Sequence, residues 1–148
     1  FTVWSFLQLA TGFFMLGLIW VIQRVHYPLF ANVGAKEFPV YERQHVRRIS
    51  PIVAPVMLLE LLSALAVTLL SPPDSLARAL SWFGLGLLAM IWGATWLLQV
   101  PRHRALESGQ DTAVIASLVR TNWLRTLAWS LRAPLAAGIL YTGLEVSA

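Results

Sequence analysis

The chain has 148 residues, 57% of them hydrophobic and 12% charged, with a net charge of +4 and a mean hydropathy of +0.67. A soluble domain of this size needs far more polar surface, so composition points to an integral membrane protein. There is no cysteine, which excludes disulfides, thiolate metal sites, iron–sulfur clusters and covalent haem, and leaves non-covalent haem and His/carboxylate metal sites open.

In chain order, four apolar stretches lie at about 3–22, 49–70, 80–100 and 124–144. Each can cross a hydrocarbon core of roughly 30 Å, which takes about 20 residues. The runs are continuously apolar and do not alternate, which predicts helices and not barrel strands. The first, Val3–Ile22, has no basic leading segment and no small-residue cleavage site, so it reads as a span and not as a cleaved signal. The chain opens at Phe1 without Met, and its natural start is expected to be processed or missing. After the first span, Glu37–Arg48 has helical spacing. Pro51 and Pro55 are expected to kink the second span near its polar end. Further on, Gly109-Gln110-Asp111 reads as a helix start with Asp111 as N-cap.

All three histidines and nine of the eleven Lys and Arg residues fall on one side of these spans. The connections 23–48 and 101–123 carry Arg24, Lys36, Arg43, Arg47, Arg48, Arg102, Arg104 and Arg120, with Arg125 just inside the last span. The opposite loop, Ser71–Ser75, is followed only by Arg78. The positive-inside rule puts the basic side in the cytoplasm and both termini outside, which suits a bacterial inner membrane. The positive charge is assigned to topology and anionic lipid headgroups, not to nucleic acid.

The halves at about 1–72 and 76–148 resemble each other within this single membrane domain. Trp20-Val21-Ile22-Gln23 closes the first span and Trp96-Leu97-Leu98-Gln99 the third. A histidine follows each, His26 and His103, and then a glycine, Gly34 and Gly109. The prediction is an all-α bundle of four transmembrane helices, built from two helical-hairpin repeats, with a polar cytoplasmic mouth.

The segment Gln99-Val100-Pro101-Arg102-His103-Arg104-Ala105-Leu106, followed by Thr121-Asn122-Trp123-Leu124-Arg125-Thr126, resembles the four-span membrane proteins grouped with the anthrone oxygenases. That pattern is a Val-Pro-x-Asn-x-x-Leu turn after the third span, then Trp-Asn-x-x-Arg-Thr entering the fourth. Gly17 and His26-Tyr27-Pro28 fit it in the first half. His103 stands where the family usually has Asn, and Thr121 replaces the Trp before Asn122. The resemblance implies the four-span fold and, by analogy, cofactor-free oxidation of anthrones to anthraquinones.

Three groups of residues carry candidate chemistry. Glu42-Arg43-Gln44-His45 places Glu42 and His45 on one helix face. With His26 and His103 they form a possible ligand set for one metal ion, and the alternative is interfacial hydrogen bonding. Glu60 and Arg132 are the charged residues deep inside the spans. They lie about 15 and 18 Å from the outer ends of their helices, which predicts an ion pair between the second and fourth spans. Trp92 and Trp96 share a helix face, and with Trp129 and Phe13 or Phe14 they are candidates to line a slot for a flat apolar ligand.

The expected function is that of a small membrane oxidoreductase acting on a planar apolar ligand of quinone or anthrone type. A base at the mouth, His26, His45 or His103, would remove an acidic proton, and Asn122 and Arg125 would stabilise the oxyanion. Two other readings stand beside it. One is a non-catalytic accessory subunit of a respiratory or photosynthetic complex, packed on other subunits or on its own copies. The other is a proton-coupled transporter using Glu60, which requires Glu60 to face a wet cavity and not Arg132.

Overall fold

The computed structural model describes residues 1–145, with side chains through Gly143; residues 146–148, the end of the second expected repeat, lie outside the described residues. Every element described is helical. Helix α1 (Thr2–Val21) continues through a π-helical turn (Ile22–His26) into the short α2 (Tyr27–Leu29) and a 3-10 turn (Phe30–Asn32), and α3 (Phe38–Leu70) returns. Helix α4 (Leu76–Ala94) likewise continues through a π-helical turn (Thr95–Gln99) into α5 (Val100–Leu106), and α6 (Thr112–Glu145) returns. The two halves therefore repeat one order: helix, π-helical turn, short helix, long returning helix. Helix α1 packs on α3 and α6, and α4 packs on the same two, so α3 and α6 face each other across the bundle.

Three stretches, Thr2–Asn32, Phe38–Leu70 and Leu76–Leu106, are long and apolar enough to cross a membrane. Helix α6 is not among them; Ser130, Arg132, Pro134 and Thr142 dilute its apolar run. The exterior is apolar, unlike that of a soluble bundle, and polar side chains are buried beside the apolar core. Phe6, Leu62, Leu69, Leu97 and Leu127 are exposed, whereas Gln8, Gln23, Glu42, Glu60, Asn122 and Arg132 are buried. Such a surface is at equilibrium with hydrocarbon and not with water. Phe13 and Phe14 belong to it, at 49% and 48% exposure, so neither lines an internal slot as expected.

Local chemistry sets the helix ends. Asp111 accepts from the backbone N–H groups of Ala113 (2.8 Å) and Val114 (3.1 Å), as an N-cap should. Helix α3 runs as one element through Pro51 and Pro55. At the opposite end of the bundle, Ser75 caps α4 by accepting from the Arg78 backbone N–H at 3.1 Å. The Arg78 guanidinium turns back and donates to the carbonyl oxygens of Ser71 (3.0 Å from Nε) and Leu69 (3.2 Å). Those carbonyls close α3 and have no helical partner of their own. Arg78→Ala is therefore expected to cost about 1 kcal/mol, read as a lower midpoint of thermal unfolding in detergent; an unchanged midpoint would remove the capping role.

The π-helical turns were not foreseen. Pro28 and Pro101 each stand two residues beyond one of them. A proline offers no N–H and its ring collides with the carbonyl four residues back, and a wider turn relieves that collision. Arg102 donates from Nη1 to the Leu98 carbonyl at 2.6 Å, giving one carbonyl of the second turn a partner. Each turn also inserts a residue into the helical register, which re-aims the side chains that follow it, Tyr27 in the first half and His103 in the second.

Candidate functional site

At the polar end of the bundle, every long strut contributes one side chain to a hydrogen-bonded line. Glu42 of α3 is fully buried and pairs through Oε1 with Nδ1 of His103 at 2.5 Å. The other ring nitrogen of His103, Nε2, lies 2.9 Å from the Tyr27 hydroxyl. Since the carboxylate must accept, Nδ1–H donates to Glu42, and in the neutral ring Nε2 is left to accept from the phenol. The Arg125 guanidinium of α6 interacts electrostatically with the same hydroxyl. Its guanidinium carbon stands 5.2 Å from the centre of the Trp129 ring, a cation–π distance. The line is thus carboxylate, imidazole, phenol, guanidinium. His26 and His45 form a second pair beside it, Nε2 to Nδ1 at 2.9 Å, with His26 edge-on to Phe30 and His45 edge-on to Tyr27.

This line walls a cleft of about 410 Å³ between α3 and the α4–α5 strut. Ile49, Val53 and Met57 form one wall and Trp92, Trp96 and Val100 the other; Tyr27, His45, Gln99, His103 and Arg125 supply the polar groups. Three buried polar atoms of cleft-lining residues have no partner: Arg125 Nε, Trp92 Nε1 and Gln99 Oε1. Arg125 is 5% exposed, and the ion pairs found among the described residues, His103–Glu42 and Arg132–Glu60, do not include it. A buried cation without a counter-charge is costly. Two donors and an acceptor without partners, on residues that line one apolar slot, suit a ligand bearing oxygen.

The other expected site residues fall elsewhere. His26, Glu42, His45 and His103 do come together, but as two hydrogen-bonded pairs. Among the described residues no three His or acidic side chains are grouped to hold a metal ion. His26 Nε2 meets His45 Nδ1, and His103 meets Glu42 and Tyr27, so a hydrogen-bonded network stands where the four-ligand metal set was expected. Asn122 is fully buried and donates to Gln23 Oε1 at 2.8 Å, so its amide N–H faces α1 and not the cleft. Trp129 is fully buried beneath Arg125 and donates to Glu60 Oε2 at 3.0 Å; it is a support, not part of the aromatic wall. Of the aromatic trio, Trp92 and Trp96 line the cleft.

Glu60 and Arg132 meet across the centre of the bundle, Nε to Oε1 at 2.8 Å, with Arg132 Nη1 also donating to the Gly84 carbonyl at 2.6 Å. With both carboxylate oxygens engaged by Arg132 and Trp129, Glu60 faces Arg132 and not a wet cavity, which removes the geometry the transporter reading required.

Two cleft residues were missed from sequence. Gln99 was visible as the polar residue ending the third span, paired with Gln23 in the first. Both glutamines hold α6, Gln99 through Thr121 at 3.0 Å and Gln23 through the Val119 carbonyl at 3.1 Å. Tyr27 was noted only inside the His26-Tyr27-Pro28 run; its place depends on the π-helical turn before it. Compared with known proteins, the chain matches no family model, no curated protein and no solved structure.

Proposed function

We propose that the chain is a four-span membrane protein, with α6 as the fourth span and the polar end in the cytoplasm, that binds a planar apolar ligand of quinone or anthrone type and removes the acidic proton of one that carries it, as an anthrone does. The observation that carries this reading is the unneutralised Arg125 guanidinium beside an apolar cleft, with Trp92 Nε1 and Gln99 Oε1 also unpartnered on residues that line it. A ketone or phenol oxygen of the ligand would take the hydrogen bond from Arg125 Nε, and the tryptophans would flank the ring. Negative charge developing on that oxygen is favoured by the fixed cation in a water-poor site. His45 faces the cleft and would accept the ligand's acidic C–H proton, with His26 behind it as the next acceptor. The Glu42–His103–Tyr27 line fixes the phenol beside the oxygen.

For an anthrone, loss of one methylene proton gives the anion that dioxygen attacks. One oxygen atom enters the product as the second quinone carbonyl and the other leaves as water. The sequence resemblance to the anthrone-oxygenase group supports this chemistry. The test is titration of the protein in lipid nanodiscs with anthrone, followed by tryptophan fluorescence and oxygen uptake. Saturable quenching that shrinks in Trp96→Phe is expected, and absence of saturation would sink the binding reading. His45→Ala should keep binding within a few-fold while lowering oxygen uptake by about 100-fold or more, the usual contribution of a positioned base. Uptake unchanged in that variant would reassign the base.

A further inference from the structure

Resting on that ligand reading, the cleft has a feature a bare ring system leaves unused: it opens sideways, into the lipid-facing flank. The exposed residues of its lining are Ser50 and Ala54 of α3, Trp96 of the α4 strut and, at the polar end, Arg104 of α5, with Trp96 at 58%. The α3–α4 seam is the least closely packed of the four seams around the bundle. Small side chains at Ser50 and Ala54 leave room in that seam beside Trp96. Of the polar lining, Tyr27 and Arg125 are buried and His45 and His103 half-buried, Arg104 and Glu107 lie toward the polar end, and Val53, Ala54 and Trp96 form the apolar side. Ile52, Leu58 and Leu97 are exposed on the flanking helices, so hydrocarbon borders the part of the opening at Ala54 and Trp96.

We infer that the ligand is a membrane-dissolved, prenyl-substituted ring that enters between α3 and α4, seats its oxygenated ring at Arg125, and leaves its hydrocarbon tail in the groove between Ala54 and Trp96. The physical reason is partition. A lipid-soluble molecule is concentrated beside this opening, and a tail lying in the groove keeps its apolar surroundings while adding contact with Trp96 and Val53. A tailless ring makes only the inner contacts.

The test uses the full-length protein in vesicles of phosphatidylcholine with phosphatidylglycerol. Binding of a benzoquinone carrying two isoprene units is compared with that of the same ring bearing methyl groups, both expressed per mole fraction in the bilayer so that partitioning cancels. The prenylated ring is expected to bind at least tenfold tighter. Ala54→Trp, an exposed position that leaves the core untouched, should erase that advantage while the methylated ring still binds within about threefold of wild type. Equal binding of the two rings to wild type, or an advantage that survives Ala54→Trp, overturns the lateral groove and leaves the ring site standing. Failure of both rings to bind would overturn the ring site and the groove together.

Discussion

Arg132→Met is expected to destabilise the bundle by about 3–5 kcal/mol, the cost of leaving a buried carboxylate without its cation. Glu60 is fully buried, and its second oxygen has only the Trp129 indole N–H. In the variant the Gly84 carbonyl also loses its side-chain donor. Lipid offers no water to make up either loss, so the penalty belongs to the upper part of that range. The double variant Glu60→Leu with Arg132→Met removes both charges at similar volume and should recover most of the loss. Denaturant titration in mixed micelles checks both. A double variant as unstable as the single one would mean that Arg132 works by shape and not by charge. Gly84 limits the choice of replacements, since a Cβ there would stand 3.1 Å from Arg132 Nη1.

Much of this was legible because it depends on one-dimensional quantities. Span length and apolarity placed the helices. The order of charges placed His26, His45 and His103 at one end. The matched depths of Glu60 and Arg132 made their pairing geometrically available, and α3 and α6 occupy the opposite corners that let the pair cross the centre. What was not legible depends on helix rotation, which a sequence records poorly. The two π-helical turns shift the register by a residue, so residue spacing along an ideal helix gives wrong faces beyond Ile22 and Thr95. Tyr27 reaches the site through that shift. Asn122 was assigned an oxyanion role because its amide has donors, yet the nearest acceptor across the interface, Gln23, claims one. The four groups expected to share a metal are the same four that form two hydrogen-bonded pairs, and residue type alone does not separate these outcomes.

The second large effect has the opposite sign for stability. Arg125 and Arg132 are seven residues apart on α6, hence on nearly the same face, and both are buried. Arg132 has a carboxylate; Arg125 has a phenol, an indole face and an open Nε. Arg125→Met gives up the cation–π contact, about 0.5–2 kcal/mol, and is relieved of an uncompensated buried charge, whose effective cost is several kcal/mol. The variant is therefore expected to melt no lower than wild type in the absence of ligand. Binding of the planar ligand should fall about tenfold to a hundredfold, since a charge-assisted hydrogen bond contributes about 1.5–3 kcal/mol and each 1.4 kcal/mol is tenfold. Thermal unfolding with and without ligand reads both effects in one experiment, because ligand raises the midpoint only where it binds. A midpoint that rises without ligand and no longer responds to it would identify Arg125 as a charge kept for binding at the expense of stability. A midpoint that falls as in Arg132→Met would mean that Arg125 holds the fold, and the open Nε would then have no ligand to explain it.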